Sequence, residues 1–130
     1  MNPDPGGLDY VLKNPTAEVL RGNVEITRAV IESSPANMTH RFTSGVLNDT
    51  VKLSPTVEGK LLDELEHHLL AGRIRESMAW CVIRHRDKKK FEFHFVAALM
   101  DLIFGKPMYP YVDRIDRMRY SAWMDQFRQC

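Results

Sequence analysis

The stretch that most limits what this chain can fold into runs from Ser77 to Leu99: SMAWCVIRH, a short charged run, then FEFHFVAAL. The first part is an almost unbroken apolar run of strand length, the pattern of a strand at the centre of a sheet. The second alternates. A charged turn from Asp87 to Lys90 joins them into a hairpin. Successive strand residues face opposite ways, so Glu92 and His94 share one side while Phe91, Phe93 and Phe95 take the other. With an even-length turn His85 falls on the Glu92 side, directly or diagonally across from it.

Two imidazoles and a carboxylate gathered on one face suit a divalent cation with open coordination positions. Mn²⁺, Zn²⁺ or a similar ion fits best, and Mg²⁺ is the less natural partner for imidazole. Open positions on such an ion bind and polarise a phosphate oxygen. Arg86, Lys88, Lys89 and Lys90 at the tip point the same way, because a basic cluster attracts a phosphate backbone. The plainer reading of the same residues is a solvated hairpin tip with two histidines nearby by chance. Spacing alone leaves both open.

The rest of the chain supplies a core for that hairpin. Ser54 is placed to cap a helix that has Pro55 at its first position and Val57, Leu61, Leu65 and Leu69 at four-residue intervals, ending near Gly72. A shorter helix is expected from Val24, capped by Asn23 and stopped before Pro35, with Ile26, Ala29 and Val30 on its apolar face. The segment HRFTSGVLNDT reads as a strand in which Gly45 allows a bend or a close approach. Asn14 and Pro15 mark a turn, residues 1–7 are expected to be irregular, and YSAWMDQF suggests a last helix. His40, His67 and His68 receive no role. The sum is one α+β domain over residues 1–130, an antiparallel sheet with helices packed on one face.

Composition narrows the setting. A 44% hydrophobic and 27% charged chain of 130 residues is ordinary globular protein, large enough for one core. Cys81 and Cys130 form no disulfide framework or zinc pattern, which favours a reducing compartment. The opening MNPDPGGLDY lacks the regions of a signal peptide, and no apolar stretch approaches the ~18 residues that span a bilayer. A soluble cytoplasmic protein without membrane contact is expected.

The segments LDYVLK, VLRGN, HRFTSGVLND, VIRHRDKKKFEFHFV and GKPMYPYVDRIDRMRYSAW, in that order, resemble the mobilisation relaxases, plasmid DNA nickases of the MobA type. The nearest branch is that of colicin-type plasmids, whose metal motif is His, six residues, Glu, one residue, then Asn or His. The resemblance implies a relaxase or Rep-like, ferredoxin-like sheet, with Tyr10 as nucleophile, His85, Glu92 and His94 as the metal triad, and Ser44 touching single-stranded DNA. It further implies nicking at a plasmid transfer origin through a 5′-phosphotyrosyl bond, with auxiliary mobilisation proteins as partners. A phenol ionises only near ~pH 10, so such chemistry needs a cation or base close by.

Relatives also place a strand resembling I-V-K-F-H and a basic turn before the tyrosine, where this sequence has only MNPDPGG. An open sheet edge near the metal face, able to pair with a second copy in a homodimer, is the expected consequence. Three activities compete: nicking through Tyr10, hydrolysis by water at the same ion, and a degenerate module that binds single-stranded nucleic acid without nicking.

Overall fold

The computed structural model describes residues 5–108, less 36, 39, 50–52, 88 and 89. Its centre is the hairpin. Strand β3 (Trp80–Asp87) pairs antiparallel with β4 (Lys90–Ala98), and two strands from earlier in the chain, β1 (Glu18–Gly22) and β2 (Phe42–Asp49), flank them. The order across the sheet is β1-β3-β4-β2, and each of its three pairings is antiparallel. Three helices cover it: α1 (Leu8–Leu12), α2 (Val24–Ser33) and α3 (Pro55–Leu70). A two-residue pairing of β5 (Met100–Asp101) with β6 (Lys106–Pro107) follows. The expected last helix at YSAWMDQF lies outside the described residues, as do residues 1–4; Pro5–Gly7 forms a single 3-10 turn.

The α+β architecture is the expected one, but the helices divide between the two faces. On one face α3 lays Leu61, Leu65 and Leu69 over Trp80, Val82, Phe93, Phe95 and Ala97. Each of those leucines is completely enclosed, a burial that favours folding by roughly 1.5–3 kcal/mol per side chain. The opposite face carries a second core in which Leu8, Val11 and Ile31 from α1 and α2 meet Cys81, Ile83, Val96 and Ala98. SMAWCVIRH therefore lacks alternation for a physical reason: both of its faces are dry. The helix caps are as read, with the Ser54 hydroxyl accepting from Val57 N–H and the Asn23 side chain from Ile26 N–H.

Two local expectations change. The buried residues of α2 are Thr27 and Ile31, while Ile26 is 54% exposed. Thr27 can sit inside because its hydroxyl donates to the Asn23 carbonyl at 2.6 Å. The other change is β1, a strand the sequence pattern did not announce. It is short, half-exposed and bulged between Val19 and Arg21, and it enters its turn through Gly22 at φ 75°, where a Cβ would meet the Trp80 carbonyl oxygen at 1.9 Å. Gly45 fills its expected role, since the Phe95 ring lies where its Cβ would be, 2.6 Å away. Past the end of its pairing with β1, β3 is held near the metal face by the Thr16 hydroxyl, which accepts from Arg86 N–H, and by the Asn14 amide, which donates to Arg86 C=O. Among the described residues no helix is long and apolar enough to cross a membrane.

Candidate metal centre and its tyrosine

Helix cover ends near Ile83 on the α1–α2 face, and the polar residues begin just beyond it. His85 stands directly opposite Glu92, while His94 stands opposite Ile83 on one side and Val46 on the other. The three side chains converge. His85 Nε2 and His94 Nε2 are 2.6 Å apart, and Glu92 Oε1 lies 3.1 Å from the first and 3.0 Å from the second. The two rings stack with centroids 4.5 Å apart and planes 22° from parallel. His85 is buried; Glu92 and His94 are half-buried.

This donor set fits a metal ion. Ligand atoms about 2.1 Å from a cation, at right angles to one another, stand ~3.0 Å apart, which is close to the spacing here. Three potential ligand atoms converge on one point with a partly buried carboxylate among them, an arrangement that a cation can hold together. His85, Glu92 and His94 could thus hold such an ion, at a point that borders open space.

What faces outward is a cleft of about 310 Å³, bordered by the triad together with Tyr10, Lys13 and Asn14. Tyr10 comes from the exposed side of α1, whose other side buries Leu8 and Val11. The ion pair between Asp9 and Arg28 fastens α1 to α2. The phenol ring is 80% exposed and stands at the rim. Four of the residues singled out in the sequence, Tyr10, His85, Glu92 and His94, thus border one cleft although the first lies far from the others along the chain.

The candidate DNA contacts separate. Ser44, exposed on β2 opposite Val96, shares the triad's face, and the exposed Lys90 begins the same face of β4 as Glu92. Arg86 projects to the other face, its guanidinium 5.7 Å from the centre of the Phe91 ring. Lys88 and Lys89 lie outside the described residues. Cys81 sits in the sheet beneath the same face, where burial pushes its thiol up to about 11 despite Thr27 and Arg28 nearby, so it stays protonated and offers no thiolate. Lys13 and Asn14 are cleft residues that sequence reasoning missed. The Asn-Pro pair signalled a turn, but nothing local showed that the amide reaches His85.

No family model and no solved structure matches the chain. Two curated proteins do. It is 36% identical over 123 residues to the DNA relaxase MbeA of Escherichia coli, a match covering 91% of this chain and 23% of that protein. It is 32% identical over 123 residues to cryptic plasmid protein C of Neisseria gonorrhoeae, covering 91% of this chain and 59% of that protein. The chain therefore spans less than two thirds of either relative. The resemblance to mobilisation relaxases seen in LDYVLK, TSGV and VIRHRDKKKFEFHFV is borne out: 91% of this chain aligns with a DNA relaxase and with a cryptic plasmid protein.

Proposed function

We propose that this chain is a metal-dependent relaxase module that nicks single-stranded DNA at a plasmid transfer origin, with Tyr10 as the nucleophile. The observation that carries the proposal is the shared cleft of Tyr10 and the His85–Glu92–His94 cluster. The triad would hold a divalent cation, Mn²⁺ or Mg²⁺ with Zn²⁺ also compatible, and such an ion supplies positive charge to a phosphate oxygen. Tyr10 provides the attacking oxygen. As the phenol loses its proton to a base or water, its oxygen bonds to phosphorus and the bond from phosphorus to the 3′ oxygen breaks. The 3′ oxygen leaves and is protonated, while the 5′ end stays on Tyr10 as a phosphodiester. One ester replaces another, so the step can run backwards and reseal the strand.

Ser44 and Lys90 extend the same face and are assigned to the DNA backbone, and Lys88 and Lys89, which precede Lys90 in the sequence, are assigned to it with them. Arg86, on the other face over Phe91, is retained as a contact only for a strand that wraps the hairpin end. Auxiliary mobilisation proteins and a homodimer remain part of the proposal as partners, and so does a cytoplasmic setting. The decisive experiment is incubation with transfer-origin oligonucleotides and Mn²⁺, followed by denaturing electrophoresis. A covalent protein–DNA adduct is expected, and it should be absent in Tyr10→Phe. Cleavage without an adduct would assign the attack to water instead.

A second reading draws on the position of Tyr10 at the rim, 80% exposed. A module that binds single-stranded nucleic acid without nicking would tolerate that placement. It predicts salt-sensitive binding that survives both Tyr10→Phe and chelation of the metal.

A further inference from the structure

The partner of His85 on its outer nitrogen is of the wrong kind for a metal ligand. A histidine that binds metal through one ring nitrogen keeps its proton on the other, and normally donates that proton to a carboxylate, carbonyl or water. Here the hydrogen-bond partner of His85 Nδ1 is Asn14 Nδ2, at 3.0 Å, and an amide nitrogen can only donate.

The orientation of that amide is fixed by backbone groups whose roles are not in question. Asn14 Oδ1 accepts from Thr16 N–H at 2.8 Å and from the Thr16 hydroxyl at 2.7 Å. That hydroxyl in turn accepts from Arg86 N–H at 2.8 Å. Asn14 Nδ2 also donates to the Arg86 carbonyl, at 3.3 Å. Turning the amide over would set Oδ1 against the Arg86 carbonyl oxygen and Nδ2 against Thr16 N–H. Two like pairs would replace two matched ones.

We infer that Asn14 is a positioning residue that holds metal-free His85 with its proton on Nε2, and that a cation can use His85 only once the Asn14 amide has turned over. With Nδ1 accepting, the single proton of the neutral ring lies on Nε2, between Glu92 Oε1 and His94 Nε2. Cation entry then moves that proton: one leaves Nε2, one is taken up at Nδ1, and the ring stays neutral. The Nδ1–H so formed needs an acceptor, which among the described residues the turned amide would offer. The inference rests on reading His85, Glu92 and His94 as a cation site. It also ties that site to the tyrosine. Asn14 N–H donates to the Val11 carbonyl at 3.1 Å and Lys13 N–H to the Tyr10 carbonyl at 3.3 Å, so Asn14 lies in the turn that closes the helix of Tyr10.

The test compares proton location and cation affinity in the wild type, Asn14→Asp and Lys13→Gln. Aspartate keeps the acceptor for Thr16 and places a second acceptor at His85 Nδ1. Lys13→Gln makes the same one-unit change of charge at the rim of the same cleft without touching that nitrogen. Long-range ¹⁵N–¹H correlation spectra of the metal-free proteins, taken above the imidazole titration range and assigned with His85→Gln, should show Nε2–H in the wild type and Nδ1–H in Asn14→Asp. Calorimetric titration with Mn²⁺ should show binding about tenfold tighter in Asn14→Asp, the low end of what groups behind a metal ligand contribute, and little change in Lys13→Gln. If Asn14→Asp fails to fold, the wild-type spectrum decides alone. Nδ1–H in the metal-free wild type overturns the proposal, and so does equal tightening in both variants. If the spectra come out as expected but Mn²⁺ binds to none of the proteins, the assignment of Asn14 stands and the cation reading falls.

Discussion

Phe93 and His94 are neighbours in sequence and opposites in physics. Phe93 faces α3 and is 1% exposed, one of the largest enclosed side chains in the molecule, surrounded by apolar atoms. His94 faces the cleft, half-buried, with two other polar atoms within 3.0 Å of its own Nε2. One backbone makes both environments, because a strand sends alternate residues to alternate faces. The difference lies in where the helices stop. α3 covers its face as far as Val82 and Phe93, with its Glu58 reaching on to Arg84, whereas α1 and α2 cover the other only as far as Ile83 and Val96. At the uncovered end, polar groups can be partly dehydrated without being sealed in, and a cation and a phosphate can still reach them.

If that contrast is correct, substitutions on the two faces fail in different ways. The largest effect is expected on the packed face. Phe93→Ala should cost about 3–5 kcal/mol of stability, the usual range for emptying a buried aromatic site, read from chemical denaturation. A cost under about 1 kcal/mol would mean that the α3 face is not a close-packed core. On the other face, His94→Ala should change the stability of the metal-free protein by less than about 1 kcal/mol, since the half-buried site is open to water and Glu92 keeps its contact with His85. Its loss should appear only with metal. At a hundredfold excess over the dissociation constant a bound cation stabilises a protein by about 2.7 kcal/mol, and that increment should be present in the wild type and missing from the variant.

Gly45 joins the two faces from the side. It lies on β2 opposite Phe95, whose ring occupies the space a Cβ would need. Gly45→Ala should therefore cost about 1–3 kcal/mol by overpacking, measured in the same denaturation series. Ser44, one residue earlier, points to the cleft side and is exposed. Ser44→Ala should leave stability within about 0.5 kcal/mol and weaken DNA binding instead. Equal losses of stability at both positions would break the two-face account.

These contrasts also show why part of the molecule could be read before its coordinates and part could not. The hairpin was legible because a two-residue period forces the faces, and the charged turn fixes where the strands meet. α3 was legible from a four-residue leucine repeat with Ser54 and Pro55 at its start. β1 was not, because VLRGN is too short to show a period and its bulge breaks what period there is. The second helical layer was hidden by the first half of FEFHFVAAL, whose alternation advertises an open face, while Val96 and Ala98 in its second half are buried on that same face. Thr27 masked the inner side of α2 because a hydroxyl that bonds its own helix can be buried like a methyl group. Asn14 was out of reach altogether, since its contact with His85 spans 71 residues.

Asp101 offers the smallest and most selective check, because it is a carboxylate whose surroundings are complete where those of Glu92 are not. Its Oδ1 accepts from Ile103 N–H at 2.9 Å and Phe104 N–H at 3.1 Å, and its Oδ2 from Arg73 Nε at 3.1 Å. Burial works against its charge, but the two amides and the arginine outweigh it and hold the carboxyl below its ordinary 3.8. A folded-state value below the unfolded one means stabilisation that is fully present above the unfolded value and fades as the pH falls through the folded one. Asp101→Asn should thus be less stable than the wild type by a constant margin above roughly pH 5, with the margin shrinking below roughly pH 4. Urea titrations at a series of pH values, run without metal, measure it directly. A margin that widens on acidification would show that Asp101 is not held as a charged, fully partnered group, and the distinction drawn between a structural carboxylate and the one facing two imidazoles would lose its basis.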